Sequence, residues 1–229
     1  IYHPFKEYFE NLPKWDGKTD HILELANTVR TSNTHLWNKC LKKWIIGTVK
    51  CAMFDNYVNG TALIFQGIQG VGKTRWFNRL VTPSLEDYIY SGVFDPARSD
   101  MLEYLAQCIY VNMDELAVLN SKGLNSLKHV VTTNTVNRKH AFGRMNLVVP
   151  RRASFLGSVN EREFLRDTTG NRRWLCFNVI SMDHEHSVNM DQVYGQAYHL
   201  AKGDFQCFLN EEETIELKEH NRMFEFVGV

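Results

Sequence analysis

The sequence predicts an α/β fold with a largely parallel sheet, on three observations. Short apolar runs without polar alternation stand at 62–65, 108–111, 153–157 and 174–179, the pattern of strands buried on both faces. Stretches that separate them carry helical rather than two-residue periodicity. A glycine-rich turn joins the first run, Ala62-Leu63-Ile64-Phe65, directly to a helix over 73–81 that Pro83 stops.

Ahead of the first strand the chain reads as helical. Tyr8, Phe9 and Leu12 fall at helical spacing before Pro13, and Ile22, Leu23, Leu25, Ala26 and Val29 follow Asp20. A long aromatic, amphipathic stretch runs from Leu36 through Trp37, Leu41, Trp44, Ile45 and Val49 to Met53. The chain then divides into a helical segment at 1–59, a core at 60–180 and a mainly helical extension at 181–229.

At 229 residues the chain is long enough for one large domain, or one domain with a subdomain. Its hydrophobic fraction of 44% and charged fraction of 23% exclude wholesale disorder. No apolar run reaches membrane-spanning length, so no membrane partner is expected. The opening Ile1-Tyr2-His3-Pro4 is neither an initiator methionine nor a signal peptide, which suggests a piece of a longer polypeptide. Five scattered cysteines without a CxxC pair argue against a disulfide framework or zinc site and for a cytoplasmic location. His184-Glu185-His186 lacks helical zinc spacing and reads as loop.

The 26 basic and 26 acidic residues cancel, but not locally. Between Lys122 and Arg173 stand 11 Lys or Arg against 3 Asp or Glu, a balance of +8. Such a block suggests a polyanion, nucleic acid first. The plainer reading pairs these arginines with the acidic tail around Glu211, Glu212, Glu213, Glu216 and Glu219.

The turn after Phe65 reads Gly67-Ile68-Gln69-Gly70-Val71-Gly72-Lys73-Thr74, matching G-x-x-x-x-G-K-[ST]. Glycines let the backbone wrap close around phosphate, and exposed N–H groups with the following helix make an anion site. Lys73 supplies charge to the β- and γ-phosphates, and the Thr74 hydroxyl can ligate Mg²⁺. The nucleotide-binding set is Gly67, Gln69, Gly70, Val71, Gly72, Lys73, Thr74 and Arg75, with ATP and Mg²⁺ as the expected cofactors.

Hydrolysis also needs a metal carboxylate and an activated water. Asp114 and Glu115, at the end of the second run, supply both: Asp114 for Mg²⁺, Glu115 to deprotonate water. The alternative is that the pair caps a helix over 116–119. Asn112 is an oddly polar residue for a strand end. Asn160 ends the third run and could sense the γ-phosphate; Asn160-Glu161-Arg162-Glu163 is equally a capping box. Arg172 and Arg173 precede the fourth run, and either could stabilise transition-state charge across a subunit boundary or make surface salt bridges. Segments 132–136 and 146–149 flank a hairpin-like projection whose tip presents Arg138, Lys139, His140, Phe142 and Arg144. Cations with an aromatic suit single-stranded or forked DNA.

The order of these motifs, ending in Asp167-Thr168-Thr169-Gly170-Asn171-Arg172-Arg173-Trp174, resembles the virulence-associated protein E family, P-loop ATPase domains of phages and mobile elements related to superfamily 3 helicases and primase–helicases. His3-Pro4-Phe5 and Trp15-Asp16-Gly17 are similar to that family's lead-in. The resemblance covers roughly residues 3–180. It implies a five-stranded, AAA+-like P-loop NTPase core behind a small helical segment. It also implies Asn160 as sensor, Arg172 or Arg173 as arginine finger, a hexameric ring with ATP sites between subunits, and a primase-like module upstream. Arg138 matches a family arginine, although the aromatic after it is shifted to Phe142. The leading expectation is a DNA-dependent ATPase motor in replication. The alternative is an ATP-dependent switch that binds a protein partner without translocating. A small-molecule kinase is a third reading, and the 170–173 string weighs against it.

Overall fold

A computed structural model describes residues 4–114, 116, 121–139, 146–165 and 170–226. The lead-in folds as α1 (Pro4–Glu10), α2 (His21–Ala26), β1 (Val29–Thr31) and α3 (Thr34–Met53). Core elements follow: β2 (Ala62–Gln66), α4 (Lys73–Arg79), β3 (Ile89–Gly92), α5 (Ser99–Gln107), β4 (Tyr110–Met113) and α6 (Ser121–Thr132). After them come β5 (Thr135–Lys139), β6 (Asn146–Pro150), β7 (Ser154–Val159) and β8 (Trp174–Met182). The chain ends in α7 (Met190–Lys202) and α8 (Glu211–Asn221).

The main sheet has the order β1-β8-β2-β7-β4-β3. Five neighbouring strands, β8 to β3, are parallel, and β1 runs antiparallel along the β8 edge. The expected five-stranded parallel core is therefore present, with an additional edge strand. β5 and β6 form a separate antiparallel pair, the expected hairpin base. No described helix is long and apolar enough to cross a membrane.

β2 shows why these runs lack polar alternation. Leu63 and Phe65 face one apolar cluster, Ala62 and Ile64 the other, and all four are fully buried. The first cluster packs against α3, α4 and α7 through Trp37, Trp44, Trp76, Phe77 and Val193. Phe65 stacks on Phe77 with centroids 4.7 Å apart, and Trp44 stacks on Tyr110 at 5.7 Å. The second cluster takes Leu105 of α5 and Leu127 and Val131 of α6. Each such side chain contributes about 1.5–3 kcal/mol on burial.

α3 begins where the Asn33 side chain accepts the Leu36 N–H. Apolar residues at 36, 37, 40, 41, 44 and 45 then hold one helical face against the sheet. Close backbone approach fastens the lead-in to α7. A Cβ on Gly195 would stand 2.4 Å from the Pro13 carbonyl oxygen, so only glycine fits. Lys42 pairs with Asp20 at 2.7 Å, and the same carboxylate accepts from Gln196. All five cysteines are buried, and burial pushes the Cys40 thiol up to about 12 and the Cys108 thiol up to about 11.

Several expectations are corrected. Val29 belongs to β1 rather than to a helix, because α2 ends at Ala26. The second apolar run is displaced: β4 spans Tyr110–Met113, not 108–111. β3 is a strand that no apolar run in the sequence marks. The ion pairs described for the acidic tail lie outside the basic block. Glu213 and Glu216 pair with Lys43 and Lys39 of α3, at 2.8 and 3.0 Å, and Glu219 pairs with Arg222.

The basic block is itself partly structural. Arg151 is fully buried and donates to the carbonyls of Val130 (2.9 Å), Val131 (2.6 Å) and Asn59 (2.6 Å), clasping the end of α6 to the entry of β2. Its guanidinium also lies over the Phe155 ring, and burial lowers its pKa. Arg152 pairs with Asp55.

Candidate nucleotide site

Strand register brings the motifs together. Gln66 of β2 lies beside Val159 of β7, and Met113 of β4 lies beside Gly157. Residues that immediately follow these strands, namely Gly67, Asp114 and Asn160, therefore meet at the carboxyl end of the sheet, where α/β folds bind ligands.

The glycine turn continues the ladder by one bond, Gly67 N–H to the Val159 carbonyl at 3.2 Å, and then departs. Gly70 and Gly72 hold φ of +86° and +104°, backbone that L side chains rarely adopt. Gly72 caps α4, and its carbonyl accepts the Trp76 N–H at 2.9 Å.

Lys73 is only 6% exposed. Its Nζ donates to the carbonyls of Gly67 (2.6 Å) and Ile68 (3.1 Å) and to Asn160 Oδ1 (3.0 Å). Burial lowers the pKa of this amine. The ammonium is thus held by neutral acceptors, with no carboxylate among its described partners. Asn160 is positioned in turn: Gln66 Nε2 donates to its carbonyl at 3.2 Å, and Asn178 Nδ2 donates to Gln66 Oε1 at 2.5 Å. Gln66 and Asn178 carry no sequence motif, and only strand pairing reveals them. Residues 161–164 form no helix, so Asn160 is not an N-cap, and that alternative falls.

A cleft of about 540 Å³ is lined by Gln69, Gly70, Gly72, Lys73, Thr74, Arg75, Asp114, Ser158, Asn160 and His184, among others. Thr74 is exposed and Asp114 half-buried, so hydroxyl and carboxylate oxygens share one space. A hard divalent cation takes such oxygen ligands, and Mg²⁺ fits this donor set. Asn112, the polar oddity, is fully buried and points its amide toward Ser91 Oγ and Asp114 Oδ1, both at 3.4 Å. It serves the carboxylate rather than the core.

In the sequence His184 carries no signal beyond that of a loop residue. A Cβ on Gly72 would lie 2.7 Å from its Nδ1, so the imidazole sits directly against the glycine turn. Arg75 Nη1 approaches His184 Nε2 at 3.4 Å.

Arg172 and Arg173 are elsewhere. Ala62 pairs with Trp174, so both arginines precede β8 at the opposite end of the sheet from the glycine turn. Five strand residues at roughly 3.3 Å each place them about 16 Å from it. Arg172 is exposed; Arg173 is half-buried, packed where a Gly170 Cβ would lie 2.7 Å from its Nη1. Arg138 and Lys139 have their backbone in β5, while their side chains, together with His140 and Arg144, lie outside the described residues. Glu115 also lies outside them, as does the proposed helix over 116–119 apart from Leu116.

A sequence model described as "Virulence-associated protein E-like domain" matches residues 9–226. A search of curated proteins returned no match. Among solved structures, the apo structure of the NrS-1 C terminal region (305-718) aligns with TM-score 0.60 at 18% identity, covering 96% of this chain and 55% of that one. The A form apo structure of the same region aligns at 0.59 and 17%, covering 93% and 53%. The chain thus spans about half the length of these structures, and at such identities the likeness concerns the fold.

Proposed function

The chain belongs to the virulence-associated protein E-like domain family, and from that premise we propose that it is an ATP-hydrolysing P-loop module of a phage or mobile-element replication protein, a helicase-like motor acting on single-stranded DNA. One observation carries the reading: Lys73, Thr74, Asp114 and Asn160, from three separate strand ends, line a single cleft beside the glycine turn.

In this reading the amides of 67–74 cradle the triphosphate, and Lys73 exchanges the Gly67 and Ile68 carbonyls for β- and γ-phosphate oxygens. Release of Lys73 from Asn160 frees that amide to orient the attacking water. Thr74 and Asp114 would hold Mg²⁺, which would neutralise charge building on the phosphates. Glu115 takes the water proton as the new P–O bond forms at the γ-phosphorus and the bond to the β-phosphate oxygen breaks, giving ADP and phosphate. Arg172 and Arg173 stand too far from the cleft to act within one chain, which supports action on a neighbour's site. Of the two, exposure favours Arg172.

Steady-state ATP hydrolysis with and without single-stranded DNA tests the motor in wild type, Lys73→Ala and Arg138→Ala. Turnover should rise with DNA, vanish in Lys73→Ala and lose its DNA response in Arg138→Ala. Robust turnover indifferent to DNA would replace the motor with a protein-directed switch. Mixing inactive Lys73→Ala with inactive Arg172→Ala chains should restore activity if the arginine acts across subunits; a mixture that stays silent contradicts it.

A further inference from the structure

Beyond β8 the chain carries no motif, yet its last residues close on the turn Asn171–Arg173 that bears both arginines. α8 is fixed first. Asn210 and Glu213 form a capping box at its start, and Glu213 and Glu216 anchor it to Lys43 and Lys39 of α3. Its final residue, Asn221, is fully buried. Asn221 Nδ2 donates to the Asn171 carbonyl at 3.0 Å and to the Trp174 carbonyl at 2.8 Å. One carboxamide therefore spans Arg172 and Arg173 and holds the backbone on either side of them. Glu225 adds a second hold: its Oε1 accepts from Asn171 Nδ2 at 2.8 Å. The Phe224 carbonyl accepts the Phe164 and Leu165 N–H groups at 3.1 and 3.0 Å, and the Leu165 carbonyl accepts the Phe226 N–H at 3.0 Å. Leu165 and Asn171 are thus both fastened to the tail.

The hold is made from polar groups in a place where apolar packing would serve stability better. Trp174 and Phe224, chain neighbours of the bonded groups, are buried, and Asn171 is 3% exposed. The Oδ1 atoms of Asn171 and Asn221 are buried without a hydrogen-bond partner among the described residues. Unpaired buried oxygens are unfavourable, so both carboxamides are kept at a cost, and what they secure is the shape of this turn. Arg172 stands out from that fixed base. It is exposed, makes no ion pair or side-chain hydrogen bond with a described residue, and opens on a cleft of about 490 Å³ whose described lining holds no carboxylate.

We infer that Asn221 and Glu225 are positioning residues for the arginine turn: they hold the backbone at 171–174 so that Arg172 is presented in one orientation to the phosphates of a neighbouring chain. The inference rests on the trans-acting arginine of the reading above and gives the C-terminal tail a part in turnover. A charge that acts in the transition state must be placed beforehand, and its misplacement lowers kcat rather than nucleotide affinity.

The test uses two inactive chains that complement each other: Lys73→Ala, which supplies the arginine, and Arg172→Ala, which supplies the nucleotide cleft. Asn221→Ala or Glu225→Ala placed in the arginine-supplying chain should lower the restored kcat about tenfold or more, with KM for ATP within about twofold. The same substitution in the cleft-supplying chain should leave restored turnover within about twofold. Glu225→Gln keeps an acceptor oxygen for the Asn171 amide and should match the unsubstituted pair in either chain. Equal losses from both chains would mean general damage to the fold, and no loss from either would mean that the hold is idle; each overturns the inference. Glu225 is half-buried, and its alanine variant decides the matter if Asn221→Ala fails to fold. A parent pair that does not complement overturns the trans arginine itself, and the positioning with it.

Discussion

Replacing Arg151 with methionine should destabilise the chain by about 2 kcal/mol, and the structure shows how the figure arises. The guanidinium is fully buried and serves three carbonyls, of Val130, Val131 and Asn59. Val130 keeps a second donor, the Thr133 N–H at 3.1 Å. Val131 lies in the last turn of α6, where carbonyls have no partner further along the helix. Methionine would thus strand two buried carbonyls, at about 1–3 kcal/mol each. Against this stands relief from desolvating a cation and loss of the unpartnered Nε, which together offset about half of that sum. Urea denaturation followed by tryptophan fluorescence suits the measurement, since Trp37, Trp44, Trp76 and Trp174 are fully buried reporters. At about 2–4 °C per kcal/mol the midpoint of thermal unfolding should fall by about 4–8 °C. A variant as stable as wild type, or more stable, would refute the reasoning: desolvation of the guanidinium would then outweigh its three bonds.

Gly72→Ala meets both a φ of +104° and the His184 ring, so calorimetry should show tripolyphosphate and ATP both weakened more than about tenfold; retained tripolyphosphate binding would contradict the close approach. His186 and His220 both have pKa values lowered from 6.5 by burial, so the unfolded chain binds more protons near and below that value. Stability is therefore full above about pH 6.5 and declines as pH falls through it toward the folded values, and His220→Gln should flatten the decline in Tm. A Tm that rises on acidification from pH 7 to 5.5 would reverse the sign. Gly195→Ala forces Cβ against the Pro13 carbonyl, and limited proteolysis should cut the 11–20 segment faster than in wild type; an unchanged digestion pattern would show that the backbones need not touch.

The fold was legible wherever burial on both faces left an unbroken apolar run, as at Leu63 to Phe65 or Phe155 to Leu156. β1 and β3 escaped because they are edge strands of three and four residues, too short to show a period. Val29 in particular stands three residues after Ala26, a spacing that mimics a helix. Of the candidate site, Lys73, Thr74 and Asp114 could be read because the chemistry of phosphate and metal confines them to a short motif. Gln66, Asn178 and His184 could not, since nothing local distinguishes them and their role comes from strand pairing and a distant turn. Arg151 shows the converse: counted with the basic block, it is a buried clasp, and formal charge in a sequence does not distinguish a free cation from one spent on carbonyls.

The five buried cysteines give the folded chain an internal set of clocks. A thiol must reach solvent as thiolate before it reacts with an alkylating reagent. Cys40 and Cys51 stand on α3, Cys108 precedes β4, Cys176 lies within β8, and Cys207 follows α7. Each therefore reports how often its own region opens, and the five alkylation rates, compared in one native chain, would rank local unfolding free energies across both faces of the sheet without any introduced label.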